Sequence, residues 1–208
     1  MVIQQNLYKL LSFPISMIQR TLVLIKPDGV QRGLVGEIIR RFERTGLKIV
    51  AIKMIYTDEK MAGKHYADDV TWLKSVGAKQ KKSYEKRGIR VIESEENLGR
   101  LVRKRLIQYL TMSPLIAFVL EGHDAIEHVR KLVGPTAPSD ALPGTIRGDF
   151  SFDTYHLADD SKRPIQNLIH ASDSIETAEK EINLWFKKEE IHVWRRIDED
   201  LLYKRFED

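Results

Sequence analysis

The sequence predicts an α+β fold in which helices cover a four-stranded antiparallel sheet. Three observations lead there. Thr21 to Ile25 and Leu115 to Leu120 are short apolar runs closed by polar or turn-forming residues, the pattern of buried strands. Each is followed by a stretch of helical periodicity and then by another strand candidate, so the order reads βαβ, helices, βαβ. The strands are too few for a large doubly wound sheet.

In chain order, the first run stops at Lys26, Pro27, Asp28 and Gly29, which puts Lys26 at a strand end before a turn. Leu34, Ile38 and Phe42 then recur every four residues while Glu37, Arg40, Arg41 and Glu43 face elsewhere, and Gly46 ends this amphipathic helix. Leu47 to Tyr56, rich in Ile, Val and Met with Lys48 and Lys53 interspersed, reads as a strand with at least one buried face. Residues 58–66 read as a helix, and Leu98 to Leu110 as another that carries Leu98, Leu101, Val102, Leu106 and Leu110. Between them, residues 74–90 hold many lysines and arginines and few apolar side chains, so a solvated insertion is expected. Ala125, Val129, Leu132 and Val133 mark a short helix ending at Gly134, and the prolines and glycines of 134–148 make a long, shaped loop. A last strand is expected from Pro164 to His170, then a helix from Ser174 to Phe186 capped by Asp173 with Glu176 three residues on. A ferredoxin-like sandwich fits this order best.

The 208 residues fit one domain with insertions. Its expected limits are 17–190, with insertions near 67–99 and 151–163, an N-terminal extension at 1–16 and a C-terminal tail at 191–208. The apolar patch Leu7 to Ile15 is interrupted by Lys9 and Pro14 and lacks a basic n-region and a cleavage site, so it reads as an extension and not a signal peptide. Met17, just before the first strand, is an alternative start. No apolar run approaches the roughly 20 residues of a membrane span, and a soluble protein is expected. The absence of cysteine removes disulfides and thiol catalysis, leaving chemistry to His, Asp, Glu, Lys, Arg and hydroxyls. A net charge of +4 suggests an acidic or phosphorylated partner, but 34 basic residues against 30 acidic ones make a mixed surface, so nucleotide and nucleic acid both stay open.

Three positions stand out for chemistry: Lys26 at a strand end, Arg147 in a Gly- and Pro-bounded loop, and His170 beside a helix start. Each has a bland alternative, namely a solvated turn lysine, a salt-bridging arginine and a structural histidine. Together they suit a polyphosphate, because Arg offers a fork matched to phosphate oxygens and Lys a compact charge. A neutral imidazole is a competent nucleophile once a carboxylate accepts its second ring N–H, and Glu181 on the following helix is the candidate acceptor, with a solvated helix residue as the alternative.

The runs TLVLIKPDGVQRGLVGEIIRRFE at 21–43, GPTAPSDALPGTIRGDF at 134–150 and NLIHASDSIETAEKEINLWF at 167–186 resemble, in order, three signature regions of nucleoside diphosphate kinases. The resemblance extends over most of 20–190. It implies a ping-pong transfer in which Nδ1 of His170 attacks the γ-phosphorus of a magnesium-bound nucleoside triphosphate and passes the phosphoryl group to a nucleoside diphosphate. Lys26, Arg130, Thr136, Arg147 and Asn167 resemble the nucleotide-contacting positions, the first four near phosphates and Lys26 and Asn167 near the ribose. Tyr66, in the pair with His65, resembles a tyrosine near the catalytic histidine, Glu181 the acid that orients its ring, and Ser172 a nearby hydroxyl. A cytoplasmic homo-oligomer is implied, a hexamer by preference, with the 134–148 loop at subunit contacts. Magnesium is expected to arrive with the nucleotide, since no carboxylates are spaced as a protein cage and His123 and His128 make a poor helical pair.

The sequence departs from that pattern at several points. Ala171 stands where many members carry glycine, which is tolerable at a negative φ. The lengthened 67–99 stretch precedes the helix that should present an aromatic side chain to the base. Counting back from Ser113 and Pro114 puts Val102 there, with Leu106 as companion, so the base is expected on aliphatic surface. The 151–163 segment is expected either to cover the site, to join a subunit contact or to form a solvated loop. Two rival readings are a nucleic-acid-binding sheet protein, motivated by the basic residues of 74–90 with Arg100, Arg103, Lys104 and Arg105, and a catalytically dead subunit of the same family. The paired-aromatic strands of the first are missing, and the presence of His170 with Lys26, Arg130, Arg147 and Asn167 opposes the second.

Overall fold

Period-2 alternation along the two long central strands separates two hydrophobic cores, one on each face of a single sheet. The computed structural model describes residues 18–203, so the N-terminal extension and the last five residues lie outside it. Strands β1 (Ile18–Ile25), β2 (Lys48–Ile55), β3 (Leu115–His123) and β4 (Ile169–Ala171) are ordered β2-β3-β1-β4, and every neighbouring pair is antiparallel. This is the expected ferredoxin-like sheet.

Val23, Ile25, Phe118 and Leu120 point to one face, where they meet Ile38 and Phe42 of helix α2 (Val35–Glu43) and Val129 and Val133 of α6 (Ala125–Val133). Leu22, Leu24, Ala117 and Val119 point to the other. There they meet Ala62 of α3 (Glu59–His65), Leu110 of α5 (Glu95–Thr111), and Ile182 and Trp185 of α9 (Ile175–Trp185). Each fully buried large side chain contributes roughly 1.5–3 kcal/mol. The short helices α1 (Pro27–Gln31), α7 (Ile146–Phe150), α8 (Tyr155–Asp160) and α10 (Glu199–Leu202) complete the set around the loops and tail. α6 ends at Gly134, as expected, with φ 86°, a positive value that favours glycine.

Three local expectations are corrected. Residues 74–90 are largely helix: α4 (Val70–Lys86), capped by the Asp69 carboxylate on Trp72 N at 2.8 Å, packs tightly on α5. A Cβ at Gly77 would collide with the Glu95 carbonyl and one at Gly99 with that of Leu73, so the two helices meet backbone to backbone. Such a contact needs few apolar side chains, which is why the composition concealed it. Of the basic residues of this helix pair, Arg87 binds Asp159 and Asp160, and on α5 Arg100 binds Asp68 and Glu96 while Arg103 donates to the Tyr66 and Gly63 carbonyls.

The last strand is only Ile169–Ala171, because Leu168 at φ 66° breaks the extended run and Gln166 N is turned to the Asp153 carboxylate at 2.6 Å. The cap of α9 is Ser174, whose hydroxyl accepts from Thr177 N at 3.1 Å, and not Asp173.

The tail runs beside β2. His192 N donates to Val50 O at 2.8 Å and Trp194 Nε1 to Ile49 O at 3.1 Å, while Lys48 Nζ reaches Trp194 O and Glu199, each at 2.8 Å.

Candidate active site

The register of β4 against β1 places His170 opposite Leu24, two residues before Lys26. Two clusters of functional side chains therefore sit at one end of β1.

The first cluster surrounds Lys26. Its backbone caps α1, with Pro27 at the first helical position, where the missing N–H does no harm. Lys26 is 5% exposed, and its Nζ donates to Asn167 Oδ1 at 2.7 Å and lies 5.3 Å from the centre of the Tyr109 ring on α5. Burial, then the nearby positive charge of Arg147, lower its pKa to about 7, against a smaller opposing pull from Asp28. The Asn167 amide donates to Thr136 O at 2.8 Å. Arg147 directs Nε to Asn167 O (3.1 Å), Nη1 to Gly134 O and Pro135 O (2.8 and 2.9 Å) and Nη2 to Ile169 O (2.6 Å). Of the five N–H groups of a guanidinium, one remains. Burial and then Arg130 lower its pKa to about 10, so it stays a cation near neutrality.

Between the clusters Leu168 adopts a left-handed conformation, which disfavours a side-chain-bearing residue by about 1–2 kcal/mol. It is held there from both sides: Leu168 N donates to Asp28 Oδ2 at 3.1 Å, and Leu168 O accepts from Lys26 N at 2.8 Å.

The second cluster is built on His170. Its Nε2 lies 2.9 Å from the Glu181 carboxylate of α9, and Ser172 Oγ donates to the same carboxylate at 2.6 Å. Burial by itself would raise the Glu181 pKa, but His170, His65 and Ser172 together outweigh it and hold the carboxyl below its usual range. An ionised carboxylate only accepts, so Nε2 of His170 carries a proton, and in the neutral ring Nδ1 is the nitrogen with the free lone pair.

Against His170 stands His65, edge-on at 4.6 Å between ring centres and 86° between planes. Trp185 Nε1 donates to His65 Nδ1 at 3.2 Å. Burial, reinforced by the neighbouring His170, lowers the His65 pKa to about 3 and keeps it neutral. Tyr66 packs on His65 at 4.8 Å, and burial with the Glu181 charge pushes its phenol pKa upward, so it remains protonated.

His65, His170 and Glu181 form the one group of possible metal ligands found among the described residues. Two nitrogens and a carboxylate already joined to one another by hydrogen bonding and packing do not suit magnesium, which prefers oxygen donors.

The remaining expected residues take outer positions. Arg130 is exposed on the last turn of α6, close enough to Arg147 to act on it electrostatically, and Thr136 is exposed beside it on the loop. Val102 is half-buried on α5, two helical turns before Tyr109 and so on the same helix face. Ala171 is not among the residues of positive φ, so its methyl is accommodated. His65, Trp185, Asp28 and Leu168 belong to the site without having been singled out. The His65–Tyr66 pair and the KPDG turn were available signals for His65 and Asp28, whereas nothing local marks Leu168 or Trp185. A cavity of about 690 Å³ lies elsewhere, at the other end of β1 among Ile18, Lys48, Glu121 and Tyr203.

The family model described as nucleoside diphosphate kinase matches residues 19–75 and 94–191. A nucleoside diphosphate kinase of Pyrobaculum aerophilum is 46% identical over 179 residues, covering 84% of this chain and 98% of its own length. The crystal structure of an NDP kinase from that organism superposes with a TM-score of 0.81 over the same shares of the two chains. A transition-state mimic of the Borrelia burgdorferi nucleoside-diphosphate kinase, with bound vanadate and ADP, is 41% identical and superposes with a TM-score of 0.73, covering 89% of this chain and 97% of that one. With a family match over most of the sequence, and relatives this similar along nearly their whole length, the chain belongs to the nucleoside diphosphate kinase family.

Proposed function

We propose that this chain transfers the γ-phosphoryl group of a nucleoside triphosphate to a nucleoside diphosphate through a phosphohistidine on His170. The observation that carries this reading is the 2.9 Å contact between His170 Nε2 and Glu181, which leaves Nδ1 as the nucleophilic nitrogen. In the first half-reaction an Nδ1–P bond forms as the P–O bond to the β-phosphate breaks, and the nucleoside diphosphate departs. The second half-reaction reverses this with the acceptor's terminal phosphate oxygen. Phosphorylation of Nδ1 makes the ring cationic while Nε2 keeps its proton, and the Glu181 carboxylate stabilises that charge.

Lys26, Arg147 and Arg130 supply the cations around the phosphates, with Thr136 beside them, and Asn167 with Lys26 faces the ribose. A loose phosphoryl-transfer transition state needs little beyond such positioning and charge. Val102 and Leu106 form an aliphatic rest for the base. Magnesium enters as part of the substrate, on the phosphate oxygens. Ile52, Met54 and Tyr56 on or just beyond the outer strand β2 are exposed, which supports self-association, a homohexamer being our reading. No helix among the described residues is long and apolar enough to cross a membrane, and we place the enzyme in the cytoplasm.

The deciding experiment is intact mass after incubation with magnesium ATP alone, then after addition of GDP. An acid-labile phosphoryl adduct discharged by GDP with formation of GTP, and absent in His170→Ala, is expected. A folded protein that forms neither adduct nor GTP would overturn the reading.

A further inference from the structure

The two segments expected from the sequence as insertions, 67–99 and 151–163, meet each other. The Asp159 carboxylate on α8 accepts from Gln80 Nε2 at 2.6 Å, Tyr84 Oη at 3.4 Å and Arg87 Nη1 at 3.4 Å. Residues 80 and 84 lie on one face of α4 and Arg87 stands at its C-terminal end, so all three donors converge on one acid whose side chain is buried. Arg87 Nη2 also reaches Asp160 at 2.6 Å.

On its other side α8 is fixed to the phosphate-side loop. Ala158 and Tyr155 pack on Ala137 and Ile165, and Ser139 N donates to Asp153 O at 3.3 Å. Asp153 in turn binds Arg163 with both oxygens, at 2.6 and 3.0 Å, and Gln166 N at 2.6 Å, immediately before Asn167.

The α4–α5 pair forms one wall of the site: α5 carries Tyr109 against Lys26 and bears Val102, and Arg103 holds the Tyr66 carbonyl at 2.7 Å. The 134–148 loop, with Thr136 and Arg147, forms the other. The backbone contact at Gly77 and Gly99 transmits the position of α4 directly to α5.

We propose that the Asp159 tie between α8 and α4 sets the separation of these two walls and thereby the affinity for the nucleotide, while leaving the chemistry at His170 unchanged. Asp159 is then a positioning residue that acts through both walls. The inference rests on the nucleotide-kinase reading given above, and charge-assisted hydrogen bonds are strong enough to hold such a geometry.

The test compares the whole protein with Asp159→Asn, Arg87→Met, the double variant and the milder Gln80→Ala. ADP affinity is measured by calorimetry, and KM and kcat for transfer to GDP by a coupled assay. Asp159→Asn is expected to weaken ADP binding and raise KM about tenfold, the scale of one charge-assisted contact, with kcat within about twofold. The double variant should be no worse than the worse single one. Unchanged ADP affinity in folded Asp159→Asn overturns the proposal, as does a fall in kcat and melting temperature at constant KM. Should Asp159→Asn fail to fold, Gln80→Ala decides by the same two readings. Weakened ADP binding in a protein that forms no phosphohistidine would sustain the tie and refute the kinase reading, so the two failures are distinguishable.

Discussion

Glu181 engages His170 and Ser172 at once, its carboxylate lying 2.9 Å from the imidazole Nε2 and 2.6 Å from the hydroxyl. The hydroxyl is itself fixed, accepting from Leu22 N at 3.3 Å, so the acid that orients the histidine is anchored to the central strand.

Replacing Glu181 by Gln should therefore slow phosphohistidine formation without abolishing it. Loss of a charge-assisted hydrogen bond of about 1.5–3 kcal/mol corresponds to roughly 10- to 150-fold in rate. Single-turnover mass spectrometry on magnesium ATP measures it, and a rate within twofold of the parent would remove Glu181 from the mechanism. The carboxyl pKa is lowered by folding, so its contribution to stability is full above the unfolded carboxylate value and is lost as pH falls through the lowered one.

Lys26 is poised to take up a proton with its substrate. With a folded pKa of about 7, it is largely neutral at pH 8 in the free enzyme, and a polyphosphate beside it favours the ammonium. ADP binding at pH 8 should draw close to one proton from solution, and at pH 6 almost none. Calorimetry in buffers of different ionisation enthalpy reads this directly. A buffer-independent enthalpy at pH 8, or equal uptake in Lys26→Met, would contradict the assignment.

Arg147 should matter for stability as well as for substrate. Its removal takes the guanidinium donors from the carbonyls of Gly134, Pro135 and Ile169, and one of two donors from that of Asn167, which keeps Ile169 N. Unsatisfied buried polar groups cost about 1–3 kcal/mol each, so Arg147→Ala is expected to lose about 3 kcal/mol or more. Arg147→Lys, with a single ammonium in place of the fork, should recover only part of it. Urea unfolding is the measurement, and an unchanged midpoint in the alanine variant would refute this role.

Lys48 joins the tail to the sheet through Glu121 and Glu199, each at 2.8 Å. Lys48→Met should destabilise the protein by about 2 kcal/mol, less than for a fully stranded buried charge, because Arg20 still pairs with Glu121 at 2.7 Å. Burial would lower the Lys48 pKa, but the two carboxylates more than offset it and the net shift is upward. Its contribution is thus fully present below the unfolded lysine pKa and disappears as pH rises through the raised folded value. Melting curves of parent and variant at neutral pH should differ, and should converge only in strongly alkaline solution. Trp194 fluorescence would report whether the tail detaches.

The sequence by itself determined the sheet and the reacting groups. Unbroken apolar runs in β1 and β3 marked strands buried on both faces, the fourfold spacing of Leu34, Ile38 and Phe42 marked a helix, and the runs around Lys26, Arg147 and His170 carried the chemistry in contiguous residues. Each of these is a local property, repeated at the period of a strand or helix or written in a short motif. What the tertiary structure alone decided depends on contacts between distant segments that leave no periodic trace. His65 meets His170 only because β4 pairs with β1 beneath α3 and α9. Residues 70–86 fold as a helix because Gly77 and Gly99 let two backbones touch, a contact that apolar counting does not register. Leu168 keeps its left-handed conformation because Asp28 and Lys26 hold its amide and carbonyl from 140 and 142 residues away in sequence, and Asp159 finds Gln80, Tyr84 and Arg87 only once α8 is laid against α4.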